Sequence, residues 1–292
     1  DMENSYESLN TDSHYPVLLN EVVENLAPKK GETYLDCTFG AGGYTTAILA
    51  KTDCSVVALD QDPTVAVFVD KAKEKFGDRF EFVQMNFSEA KVKLAGRKFN
   101  GVVLDLGISS MQVDGAERGF SFMKDGPLDM RMSGAGMSAA EFVANATEKE
   151  ISDVIYKYGE EVQSRQIAKA IVAARELEAI TTTMQLAEVV KGAMHFRKAK
   201  IDPATKTFQA IRIYINKELE SLEKFLEQAK DLLIPGGRLL VVSFHSLEDS
   251  IVKYFFKEYS PKKVARSKYA KDKPVIEEGK WLDMLTKKPV VP

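Results

Sequence analysis

A short strand that runs into a glycine-rich turn and then a helix, followed by further strand–helix pairs, limits this chain more than any other feature. Residues 33–38 (TYLDCT) form an apolar strand, Gly40-Ala-Gly42-Gly43 follows, and 45–50 (TTAILA) resumes as helix. Residues 55–60 (SVVALD), 79–85 (RFEFVQM) and 101–107 (GVVLDLG) read as three more strands. Asp62-Pro63 opens one of the intervening helices, with proline near its first turn, and that helix runs to about Phe76. Alternation at this spacing predicts a parallel, doubly wound α/β sheet. Ahead of it, 17–27 (VLLNEVVENLA) has apolar residues at helical spacing and is stopped by Pro28-Lys-Lys-Gly31.

The alternation breaks after the fourth strand. From 113 to 204 no buried strand is evident, and two capping boxes, Ser138-Ala-Ala-Glu141 and Thr147-Glu-Lys-Glu150, lead into helices. Residues 160–178 and 183–194 also have helical periodicity. One long helix is expected over 207–233, ended by Pro235-Gly236-Gly237, and 238–244 (RLLVVSF) is again a buried strand. The domain organisation this predicts is a discontinuous α/β domain, 1–112 and 205–292, interrupted by an all-helical insertion, 113–204.

Composition narrows the class. A chain of 292 residues that is 45 % hydrophobic and 28 % charged is an ordinary soluble globular protein. No apolar run approaches the ~20 residues needed to span a bilayer. The opening residues lack a basic stretch followed by an apolar one, so a secretory signal is not expected. Two cysteines, Cys37 and Cys54, point to a reducing compartment, and a cytoplasmic location is expected. The net charge of −3 excludes nucleic-acid binding by a general positive field, so any such contact must be local. No histidine–cysteine cluster has zinc spacing, and no structural metal is expected.

The string Asp36-Cys-Thr-Phe-Gly40-Ala-Gly42-Gly43-Tyr44 lets a ligand approach the backbone closely. It lacks the GxxxxGK[ST] of a phosphate loop, and Thr45 stands where a dinucleotide fingerprint needs glycine. An S-adenosylmethionine (SAM) site needs neither. It needs backbone approach to the methionine part and an acid for the ribose hydroxyls, and Asp60 ends the second strand where that acid belongs. Asp36, Asp60 and Asp105 converge on the carboxyl edge of the sheet. Phe87 either packs on an adenine or is ordinary core.

Methyl transfer from a sulfonium is a direct displacement that the enzyme mainly aligns. Carbon-5 methylation of cytosine would need a cysteine nucleophile, and neither Cys37 nor Cys54 is placed for it. An exocyclic amine needs only acceptors on its N–H groups. Asp105 either supplies one or binds the cofactor's amino-acid part. Beyond it, Arg118, Lys124 and Arg131 with Phe120 and Phe122 suit phosphate contact and base stacking, or else form a structured loop with internal ion pairs, Asp129 being one such partner. His245 is a substrate-side or a structural histidine. The basic runs 195–200 (HFRKAK) and 262–273 (KKVARSKYAKDK) are phosphate contacts or plain solvated surface.

The strings HYPVLLNEVVENL (14–26), DCTFGAGGY (36–44), LDLGISSMQVDGAERGFSFMKDGPLDMRM (104–132), KTFQAIRIYINKELE (206–220) and IPGGRLLVVSFHSLEDSIVK (234–253) carry a resemblance over nearly the whole chain. The sequence resembles the bacterial small-subunit ribosomal RNA cytosine-N4 methyltransferases, the RsmH/MraW family. The resemblance implies a class I SAM-dependent methyltransferase domain with a helical insertion. It implies SAM held at Gly42, Gly43, Tyr44, Asp60, Phe87, Asp105 and Gln112, and a decoding-region cytidine of the small subunit as substrate. Monomer and homodimer both stay open. Tyr44 departs from the histidine that often ends the family's glycine loop, and the family usually continues past Pro292 into a basic tail.

Overall fold

Five strands join into one sheet in the computed structural model, which describes residues 18–194, 201–261 and 279–285. They are β1 (Thr33–Asp36), β2 (Ser55–Asp60), β3 (Phe80–Gln84), β4 (Phe99–Asp105) and β5 (Leu233–Val242), in the order β3-β2-β1-β4-β5. The β1–β2, β1–β4 and β4–β5 pairs are parallel, with Asp36 beside Ala58 and Val103, and Asp105 beside Val242. Parallel strands are covered on both faces, which is why they read as continuous apolar runs. In β4, Val102, Val103 and Leu104 are all fully buried. Helices α1 (Leu19–Leu26), α2 (Gly43–Lys51), α3 (Ala66–Phe76) and α4 (Ala90–Lys93) alternate with the first four strands. α1 turns Leu19, Val22, Val23 and Leu26 inward at helical spacing.

The chain divides into two compact units. Among the described residues, one holds those up to Leu59, Val69–Leu106 and those from Leu222 on, and the other holds Asp60–Phe68 with those between Gly107 and Ser221. The sequence boundaries of the helical stretch were 113 and 204. In the first unit, Leu35, Val57, Leu59, Phe99, Val102 and Leu104 form one core with Phe225 and Leu226. α11 (Glu218–Leu232) supplies the latter two, and α12 (Ser246–Tyr259) adds Phe255. Trp281 packs on Phe255 and Tyr259.

The second unit is helical: α5 (Ser110–Asp114), α6 (Ala139–Asn145), α7 (Glu148–Gly159), α8 (Ser164–Leu177), α9 (Thr183–Ala193) and α10 (Thr205–Ile215). Both expected capping boxes are present, at Ser138 and Thr147, and Ser109–Gln112 and Thr182–Gln185 form two more. Ile151, Ile155, Ile167, Ile171, Leu186 and Ile211 are buried with no exposed surface.

Two expectations change. The single helix 207–233 is two helices, because the backbone turns left-handed at Lys217 (φ 51°). Asn216 holds the break: its Nδ2 donates to Met130 O and Arg212 O, and its Oδ1 accepts from Met132 N. Pro235-Gly236-Gly237 does not simply end a helix but lies inside β5. The register jumps there from Phe99 beside Leu233 to Gly101 beside Arg238, so the turn is absorbed as an irregularity of the strand.

Candidate active site

The carboxyl edge of the sheet is organised around Asp36, the last residue of β1. Its buried carboxylate accepts from Thr45 Oγ1 at 2.7 Å and from Thr38 N–H at 3.2 Å. Thr38 Oγ1 accepts in turn from the Asp105 backbone N–H at 2.8 Å. One acid therefore fixes the glycine turn, the first turn of α2 and the end of β4. The turn passes through Gly42 at φ 84°, where a Cβ would lie 3.0 Å from the Phe39 ring. Only glycine keeps that backbone open to a ligand.

Tyr44 and Asp105 face each other at this edge. Tyr44 Oη and Asp105 Oδ1 are both buried, and neither has a partner in good hydrogen-bonding geometry. Burial pushes the Asp105 carboxyl up to about 7; the nearby Tyr44 hydroxyl lowers it and the Asp36 charge raises it. Burial, with Asp105 next, pushes the Tyr44 phenol well above its ordinary value. Phe87 begins a short 3₁₀ turn after β3, half-buried, with its ring edge-on to Phe225 at 5.7 Å. Burial also pushes both thiols up, Cys37 strongly, leaving neither as a ready thiolate.

In the helical unit, Asp60 Oδ1 accepts from Asp62 N–H at 2.9 Å, a turn that shapes the exit from β2. Asp62, which sequence reading used only to open a helix, is the hub here. Its buried carboxylate accepts from Thr64 N–H (2.9 Å), Thr64 Oγ1 (2.7 Å), Gln112 Nε2 (3.0 Å) and Arg118 Nη1 (2.7 Å). Burial pushes the carboxyl up, but the Thr64, Arg118 and Gln112 bonds more than offset it and hold it below the usual carboxylate range. Gln112 completes its own box by accepting from Ser109 N–H at 3.0 Å.

Arg118 spends its fork inside this unit: besides Asp62 it donates to Thr64 Oγ1, Arg131 O and Met132 O at 3.0–3.2 Å. Arg131 grips Asp129 through Nε and Nη2 at 3.0 and 2.9 Å and donates to Gly136 O. Phe120 is buried beneath the Arg118 guanidinium, 5.5 Å from the ring. Phe122 is half-buried between Phe208 (4.7 Å) and the Lys191 ammonium (5.3 Å). Lys124 is exposed, and its carbonyl accepts from Thr183 Oγ1. In the first unit, His245 caps α12 by accepting from Glu248 N–H. The basic runs 195–200 and 262–273 lie outside the described residues. Among the described residues no acid, histidine or cysteine group could hold a metal, and no helix is long and apolar enough to cross a membrane.

The chemistry of the strand ends tests the expected cofactor. A pyrophosphate would meet Asp36 and Asp105, at the ends of β1 and β4, as like charges. SAM carries a cationic sulfonium and an ammonium, and carboxylates beside an open glycine turn fit it. Acids at the ends of parallel strands around such a turn are the marks of the class I SAM-dependent methyltransferases. The chain belongs to the MraW methylase family, whose model matches residues 11–292. It is 62 % identical over 276 residues to the ribosomal RNA small subunit methyltransferase H of Rickettsia felis, covering 94 % of this chain and 90 % of that one. It is 58 % identical over 280 residues to the protein of that name from Rickettsia canadensis, covering 96 % and 91 %.

Proposed function

We propose that this enzyme transfers a methyl group from SAM to the exocyclic N4 amine of a cytidine in the decoding region of small-subunit ribosomal RNA, in the cytoplasm. The observation that carries the chemistry is the buried Asp105 oxygen at the end of β4, left without a well-aligned partner. SAM supplies a methyl group on a good leaving sulfur. Asp105 accepts an N–H of the amine, which draws the nitrogen lone pair out of conjugation toward the methyl group; as the N–C bond forms and the methyl–sulfur bond breaks, the carboxylate takes the proton that the amine sheds. Two buried, protonated thiols favour this direct displacement over a covalent cysteine adduct. The names of the relatives, with near full-length coverage, support the RNA substrate.

Gly42, Gly43 and Tyr44 give backbone approach to the methionine part, Asp60 serves the ribose, and Phe87 serves the adenine. Gln112 and Arg118 support Asp62 in shaping the chain that follows Asp60. Nucleoside mass spectrometry of small subunits incubated with the enzyme and labelled SAM tests the reaction. N4-methylcytidine is expected, and label on carbon 5 or on another base would refute it. Asp60→Ala should weaken SAM binding about tenfold or more, because a charge-assisted hydrogen bond is lost, with the melting temperature little changed. Unaltered affinity by calorimetry would remove Asp60 from the ribose.

A further inference from the structure

Tyr44 and Asp105 are tied down by their backbones yet unfinished at their side-chain ends. Tyr44 is 3 % exposed in the first turn of α2. Its neighbour Thr45 is bonded to Asp36, and Asp105 N–H is bonded to Thr38, which is itself bonded to Asp36. The same buried acid thus sets the position of both chains, and only rotation of the side-chain ends is left. The charged groups facing the pair are Asp36 from β1 and Glu21 from α1, both acids. Among the described residues, the proton-bearing group that faces Asp105 is the Tyr44 phenol. Burial keeps that phenol protonated and therefore a donor.

We propose that Tyr44 is a positioning residue for Asp105: its Oη–H donates to one carboxylate oxygen during turnover and leaves the other for the acceptor amine. This rests on the reading of Asp105 given above and adds to it. A buried carboxylate with no donor is costly to ionise, and a neutral carboxyl is a poor acceptor for an amine. The phenol favours the charged form and fixes its rotation without adding a cation that would repel the sulfonium.

The test is a pH profile of kcat/KM for RNA, run beside SAM calorimetry on the full chain. Tyr44→Phe keeps the ring and removes the donor. Its kcat should fall about tenfold, and the acid limb of the profile should move up by about one pH unit. SAM affinity should stay within about twofold of the parent, since the lost interaction is made with Asp105. Placing 3,5-difluorotyrosine at position 44 strengthens the donor and should move the limb the opposite way. An acid limb that stays put in Tyr44→Phe overturns the proposal. So does a loss of SAM affinity as large as the loss of kcat, which would make the Tyr44 hydroxyl, and not only its backbone, a cofactor contact. Asp105→Ala, which removes the acceptor, is measured in parallel. If it retains turnover, the reading of Asp105 fails and the proposal falls with it. If it loses turnover while Tyr44→Phe leaves the limb in place, only the role of Tyr44 fails.

Discussion

Replacing Arg118 with alanine should cost the helical unit about 3–5 kcal/mol, because it strands the Asp62 charge in a buried site. The two side chains are 16 % and 2 % exposed, so water cannot easily replace the lost guanidinium. Asp62 would keep its bonds from Thr64 and Gln112, while Arg131 O and Met132 O would lose their donor. A fall of roughly 10 °C in melting temperature is the expected result. Arg118→Lys should recover only part of it, since an ammonium cannot reproduce the fork. The sequence left two roles open for Arg118, a hand on the RNA backbone or an internal ion pair, and they separate cleanly. An internal pair makes the loss nearly independent of salt. A phosphate contact would instead leave melting intact and reduce the salt dependence of RNA affinity. Unchanged melting with weakened, salt-sensitive RNA binding would reject the ion-pair role.

Asp105→Ala should lower turnover by about 10² or more at saturating RNA and SAM, since the change removes the acceptor proposed above for the amine. Near-normal turnover would refute its place at the acceptor. The same residue predicts a pH signature. Its carboxyl titrates near 7 in the folded protein and near 4 in an unfolded chain. Between those values the unfolded chain releases the proton while the folded chain retains it, so stability falls as pH rises through the window and levels off above it. Asp105→Asn cannot ionise and lacks this slope. Its melting advantage over the parent should therefore grow from about pH 4 to about pH 7 and then stay constant. Turnover of the parent should rise over the upper part of the window as the carboxylate forms. A melting difference that is flat with pH would mean that Asp105 is not held neutral.

The sheet was legible because its determinants are local. Apolar runs such as Ser55–Asp60 and the glycine turn announce strands and their ends without help from distant residues. The capping boxes at Ser138 and Thr147 were readable for the same reason. Those at Ser109 and Thr182 carry the same signal, with glutamine in place of glutamate. The break at Lys217 was not readable. IYINKELE contains neither glycine nor proline, and the cause is Asn216 reaching Met130 and Met132, far away in sequence. Asp62 was hidden in the same way. Its own neighbourhood explains a helix opening, while its partner Arg118 lies 56 residues on. At the candidate site, acids can be located at strand ends from position alone. The coupling of Tyr44 to Asp105 needs β1, α2 and β4 assembled before it exists.

The strand order also sets a timetable for synthesis. β4 pairs on one side with β1, which leaves the ribosome before it, but its other neighbour is β5. Everything between Asp105 and Leu233 must be made before that side is covered. During the interval Val102, Val103 and Leu104 would sit on an open edge whose unpaired amides and carbonyls can capture another strand. A nascent chain arrested before Leu233 should therefore be far more prone to aggregate than the finished protein, and more dependent on chaperones that shield exposed β-edges.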